Sequence, residues 1–202
     1  MEKGFVFIDE IVPQVRWDAK YATWDNFTGR PVDGYGANRI AGTLELADAL
    51  QKAAEEAAVL GYGLLLWDGY RPQRAVDCFL RWSALPEDGR TKEKHYPHIE
   101  RCEMVEKGYV AAKSSHSRGS AIDLTIFSLN TGDMLPMGSG FDFMDERSHH
   151  TSDAVTVSEA RHRKLLCSIM ERSGFIPYEN EWWHYLLKDE PYPDRYFDFP
   201  IS

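Results

Sequence analysis

Between Leu44 and Leu60 the apolar residues Leu46, Ala49, Leu50, Ala53, Ala57 and Leu60 recur at three- and four-residue steps, the spacing of one buried helix face. Thr43 can cap the start of that helix and Gly61 can stop it. The next apolar run, Leu64 to Trp67, reads as a buried strand, and Asp68-Gly69 turns it so that Tyr70 and Arg71 lie just past its end. Pro72 suits the first turn of a helix reaching about Ser83, with Ala75, Val76, Phe79 and Trp82 on one stripe. Further on, Thr156-x-x-Glu159 is a capping-box pattern for a helix ending near Gly174, with Leu165, Leu166, Ile169 and Met170 facing inward. Phe175 to Tyr178 and Glu181 to Leu187 follow as strands. Near the start, Phe5 to Ile8, Ile11, Val12 and Val15 surround Pro13 and predict a short strand or an extended arm. Residues 23–38 predict a long ordered loop, residues 85–100 a polar loop carrying His95 and His98, and Leu129 to Met134 a hairpin turn. No repeat or interdomain linker interrupts the pattern. The order of elements predicts an α+β fold over residues 1–202: a single compact domain with a mixed or antiparallel sheet flanked by helices.

Composition narrows the class. A chain of 202 residues, 43% hydrophobic and 13% aromatic, can build one sizeable core, and its six tryptophans (17, 24, 67, 82, 182 and 183) are expected mostly inside it. The net charge of −9 argues against a nucleic-acid partner, which needs a clustered positive surface, and points to a small-molecule substrate. Three cysteines, Cys78, Cys102 and Cys167, are odd in number and lack CxxC spacing, so they read as reduced thiols. Glu2, Asp9, Glu10, Arg16 and Asp18 interrupt any leader-like apolar core, and no run approaches the roughly 20 apolar residues of a membrane helix. The expected compartment is the cytoplasm; oligomeric state is not legible.

The chemistry gathers in Ser115 to Asp123, followed by the β-prone run Leu124-Thr125-Ile126. His116 offers an imidazole nitrogen and Asp123 a hard carboxylate oxygen, both donors that Zn²⁺ accepts in a partly open tetrahedral shell. The third donor is expected from His184 in Glu181-Trp182-Trp183-His184-Tyr185, with Glu181 three residues upstream as the base. A single histidine in an apolar strand is more often a satisfied core group than a ligand; the four residues together carry the reading. Residues three apart in a regular strand point to opposite faces, so Glu181 is expected in the loop before the strand, a bulge being the alternative. Asp123 should share a face with Ala121 and Thr125, away from Ile122, Leu124 and Ile126. Arg71 is either an oxyanion partner, for which its fork is suited, or a structural clamp. No G-x-S-x-G elbow surrounds Ser114 or Ser115, and a metal-bound water makes a serine nucleophile unnecessary, so both points argue against that reading. His149-His150 is expected to be a surface turn.

Ser114, His116, Gly119, Ala121 and Asp123, with Glu181 to His184, form a pattern similar to that of the zinc D-alanyl-D-alanine dipeptidases of vancomycin resistance. The resemblance spans the chain, from Val15 to Tyr21, through Trp67 to Pro72, to Glu190 to Pro193. It implies one Zn²⁺ per chain on His116, Asp123 and His184, Glu181 as the base, Arg71 as the transition-state arginine, and D-Ala-D-Ala as substrate. The implied role is depletion of that dipeptide, which lowers vancomycin binding by the wall precursors, or recycling of D-alanine. For such a substrate, Asp142 or Tyr21 is a candidate for holding the ammonium and Ser114 or Ser115 for the carboxylate, against the alternative that all four serve local structure. D,D-carboxypeptidases and wall endopeptidases share the metal arrangement and form the second reading. A non-catalytic zinc-stabilised module is the third, and the presence of Glu181 and Arg71 speaks against it.

Overall fold

Both long helices begin where their caps predict. The computed structural model describes all of residues 1–202. In chain order its elements are β1 (Phe5–Phe7), α1 (Ile8–Ile11), β2 (Arg16–Trp17), β3 (Ala41–Thr43), α2 (Leu44–Val59), β4 (Tyr62–Asp68), α3 (Gln73–Ser83), α4 (Lys92–His95), β5 (Ala121–Ser128), α5 (Val157–Arg172), β6 (Phe175–Pro177) and β7 (His184–Leu187). The Thr43 hydroxyl accepts the Leu46 N–H at 3.2 Å, and Thr156 and Glu159 form the expected reciprocal capping box. Pro72 occupies the cap position of α3 rather than its first turn.

Five strands form one mixed sheet in the order β2-β4-β5-β7-β6, antiparallel except for the parallel β2–β4 pair, and β1 and β3 form a separate antiparallel ribbon. Residues 121 to 127 of β5 are all buried, so both faces of this strand are covered. Leu64 and Leu66 stand opposite Ile126 and Leu124 on the face that is apolar throughout, and α2 packs on β4 with Leu46, Leu50 and Ala53 in the shared core. The other face starts apolar, with Leu65 beside Thr125, and turns acidic where Asp68 stands opposite Asp123. That pairing needs a β-bulge between Leu66 and Asp68. With no bulge, Trp67 would stand opposite Asp123 and Asp68 would point into the apolar face.

The expected arm at the start is broken into β1, α1 and β2, because Pro13 and the exposed residues around it stop any longer strand. Residues 23–38 contain no regular helix or strand, as expected, while the polar stretch 85–100 contains the one-turn helix α4. Four tryptophans are core, but Trp17 and Trp24 lie 39% and 70% exposed. His149-His150 lies at a turn yet is partly covered, and His150 Nε2 is sealed from solvent without a partner.

The stretch carrying His116 is a 3-10 turn, Ser115–Arg118, and not a strand. Gly119 ends it at φ 85°, where its N–H returns to the His116 carbonyl, and a β-carbon there would lie 2.3 Å from the Phe5 ring. Gly119→Ala should therefore cost about 1–3 kcal/mol from left-handed backbone and overpacking together. A lowered urea midpoint with an unchanged m-value would report it; an unshifted midpoint would show that Phe5 yields freely. A C-terminal strap closes the same region: Phe197 donates to the Ser117 carbonyl at 2.8 Å, and its own carbonyl accepts the Gln73 N–H at 3.0 Å.

Candidate active site

Asp123 of β5 and His184 of β7 are directly paired across the sheet, so both side chains rise from one face. The 3-10 turn brings His116 over them. Asp123 Oδ2 lies 3.2 Å from His116 Nε2, Asp123 Oδ1 lies 2.9 Å from His184 Nδ1, and the two imidazole nitrogens are 3.0 Å apart. His116 Nδ1 lies 2.7 Å from the Gly69 carbonyl. A carbonyl only accepts, so Nδ1 carries the hydrogen, and in the neutral ring Nε2 presents a bare lone pair to a carboxylate and a second imidazole. His184 has its outer Nε2 3.3 Å from Ser115 Oγ and its inner Nδ1 on Asp123. Three acceptors converging at this distance, with each ring's outer nitrogen engaged elsewhere, fit a metal cation. These three residues are the one group of metal-capable donors in the chain.

Glu181 sits in the turn before β7, the expected loop and not the alternative bulge. The His184 N–H closes back on the Glu181 carbonyl at 3.1 Å, and this turn returns the carboxylate to the side of His184. Burial pushes the Glu181 carboxyl up to about 7; Asp123 adds to the rise, while His184 and Arg71 oppose it. A carboxyl near neutrality can both take and return a proton at physiological pH. Arg71 follows the end of β4 and is bonded to Asp68, with Nη2 at 2.9 Å from Oδ2 and 3.6 Å from Asp123 Oδ2. Its guanidinium lies over the Tyr21 ring at 4.9 Å.

A cavity of about 420 Å³ takes in all nine residues singled out in the sequence: Tyr21, Arg71, Ser114, Ser115, His116, Asp123, Asp142, Glu181 and His184. Tyr21 donates its hydroxyl to Asp142 Oδ2 at 2.7 Å. Burial raises the Asp142 carboxyl well above the ordinary carboxylate range, with Asp123 and Glu181 adding to the effect. A cationic group placed against Asp142 would reverse this and hold it ionised. Ser114 accepts the His116 N–H at 3.3 Å, so its hydroxyl also caps the 3-10 turn.

A family model for the M15 D-Ala-D-Ala dipeptidases matches residues 1–202. The chain belongs to that family. It is 68% identical to a D-alanyl-D-alanine dipeptidase of Enterococcus faecium, 66% to one of Enterococcus faecalis and 63% to one of Streptomyces coelicolor, in each case over 100% of both chains.

Three groups of this M15 dipeptidase-family site were not anticipated. Asp68, assigned from sequence to a turn, is the last residue of β4; it is fully buried, and its carboxylate accepts from Arg71 Nε at 2.9 Å and from the Tyr35 hydroxyl at 2.6 Å. Tyr35 comes from the long loop, and the Gly69 carbonyl holds His116. A buried acid directly after an apolar strand was the available signal, since it demands a partner. Arg71→Lys keeps a cation for Asp68 but loses the planar fork, and kcat/KM should fall on the order of 10²-fold, about 3 kcal/mol of transition-state stabilisation, if Arg71 meets an oxyanion. A near-normal kcat/KM in a folded variant would leave Arg71 as a clamp.

Proposed function

We propose that the chain is a zinc-dependent D-Ala-D-Ala dipeptidase in which His116, Asp123 and His184 hold the metal, Glu181 is the acid–base and Arg71 the oxyanion partner. The observation that carries this reading is the meeting of Glu181 and Arg71 with the two-imidazole, one-carboxylate group in one cavity. The names of its full-length relatives supply the substrate. Zinc, when bound there, polarises the scissile carbonyl and acidifies water. Glu181 takes the proton of the water whose oxygen bonds to the carbonyl carbon, then delivers it to the amide nitrogen as the C–N bond breaks. Arg71, held by Asp68, shares the charge that develops on the carbonyl oxygen.

Asp142, held by Tyr21, receives the substrate's ammonium, and the hydroxyls of Ser114 and Ser115 face its carboxylate. Both ends of a dipeptide are then recognised. Depletion of D-Ala-D-Ala would contribute to vancomycin resistance, or the same reaction would recycle D-alanine; the cytoplasm is the expected compartment, consistent with three unpaired thiols. No helix is long and apolar enough to cross a membrane.

Substrate length decides between this reading and a D,D-carboxypeptidase. N-acylation removes the ammonium and leaves the buried Asp142 with the Tyr21 hydroxyl but no cation, a penalty for a wrong substrate. D-Ala-D-Ala should be cleaved well, while L-Ala-L-Ala, N-acetyl-D-Ala-D-Ala and a precursor pentapeptide ending in D-Ala-D-Ala should be poor. Comparable kcat/KM for the dipeptide and the pentapeptide would favour the carboxypeptidase.

A further inference from the structure

Asp142 has φ of 53° and is the one non-glycine residue in the left-handed region. Backbone in that region persists where the surroundings hold it, so the question is what holds Asp142. The answer lies outside the reacting groups. His95, the last residue of α4, is 3% exposed, and its Nδ1 lies 3.3 Å from the Asp142 carbonyl. Its own carbonyl accepts the Met144 N–H at 2.7 Å. One residue therefore grips the 142–144 backbone with both its side chain and its main chain.

The tautomer follows from the partner: a carbonyl only accepts, so Nδ1 donates. Burial first, then the charge of Lys94, lowers the His95 pKa to about 4, which keeps the ring neutral near pH 7. The helix that presents His95 is itself docked. Thr91 Oγ1 donates to the Phe27 carbonyl at 2.6 Å, and Lys94 pairs with Asp25. Asp25 also binds Lys20 at 2.7 Å, beside the Tyr21 whose hydroxyl reaches the Asp142 carboxylate. The carbonyl and the carboxylate of Asp142 are thus both held from one assembly, made of residues 20–28 and α4.

We propose that His95 is a positioning residue that fixes the Asp142 carboxylate, and through it sets the selectivity for substrates carrying a free ammonium group. This rests on the reading of Asp142 as the ammonium's partner. A merely structural histidine would affect all substrates alike. A positioning histidine affects those with the ammonium more than those without.

The test compares kcat/KM for D-Ala-D-Ala with that for propionyl-D-alanine, which has hydrogen in place of the amine, using the full metal-loaded chain. The ratio of the two is independent of the fraction of active enzyme, so partial misfolding of a variant does not disturb it. His95→Asn places an amide N–H where Nδ1 stood, whereas His95→Gln moves the amide to the Nε2 position. The ratio should fall about tenfold or more in His95→Gln and in Asp142→Asn, and stay within about threefold of the parent in His95→Asn, as expected for loss or retention of one charge-assisted contact. A ratio unchanged in His95→Gln while collapsed in Asp142→Asn would overturn the role of His95 alone. Equal losses in His95→Asn and His95→Gln would overturn it too, since the donor position would then be irrelevant. A ratio unmoved by Asp142→Asn would overturn the ammonium reading itself, and the proposal with it.

Discussion

Glu181→Gln should retain its zinc and lose about 10²–10⁴ in kcat, because the substitution keeps the shape of the side chain and removes its ability to accept a proton. The pH profile provides a second reading of the same group. As the proposed base Glu181 would have to be ionised, and burial pushes its carboxyl up to about 7. A bound cation favours the ionised form, so the acid limb of kcat/KM should lie at or below that value. Activity should fall as pH drops through the limb, because protonation removes the base. In Glu181→Gln the residual activity should not show this limb. If zinc content fell together with activity, Glu181 would be a ligand; if the acid limb survived the substitution, another group would be the base.

Removal of the metal should abolish turnover. Purified protein is expected to carry one zinc per chain, and His116→Ala and His184→Ala should each lose both metal and activity, since either change takes one of three donors from the group. Retention should also depend on acidity. Burial lowers the His184 pKa, but the Asp123 hydrogen bond and charge outweigh it and raise the pKa above the ordinary histidine value. An imidazole must be neutral to coordinate, so affinity should decrease as pH falls below the raised pKa. Elemental analysis after dialysis at a series of pH values would measure this. Full activity in metal-free protein, or unchanged zinc in both histidine variants, would end the metal assignment.

Local patterns in the chain gave reliable expectations wherever one element decides the outcome. The Thr43 cap, the Thr156–Glu159 box and the alternation around Asp123 all depend on neighbours within a few residues. Strand periodicity left a loop or a bulge for Glu181, the turn-like Tyr178-Glu179-Asn180 favoured the loop, and the turn from Tyr178 to Glu181 is what the structure has. Groups set by distant contacts were not legible. Asp68 looked like a turn residue because the bulge beside Trp67 exists only through pairing with β5, and nothing near Tyr35 indicates a partner 33 residues away. The β-prone run Leu124-Thr125-Ile126 marks the strand that carries Asp123 but says nothing of the local conformation at His116. Ser114 and Gly119 close that segment into a 3-10 turn.

The Gly69 carbonyl that sets the His116 tautomer belongs to the main chain, and so lies beyond the reach of any side-chain scan. Every replacement at position 69 leaves the carbonyl in place. A replacement also adds a β-carbon 2.5 Å from the Ala41 carbonyl oxygen and 2.8 Å from the Ile40 side chain, so a damaged Gly69 variant reports a displaced backbone and not a missing hydrogen bond. Alanine scanning would therefore credit this part of the site to packing. Replacing the ring's donor is the cleaner probe, because the oxygen that turns the other ring nitrogen toward Asp123 and His184 can be silenced only from the histidine side.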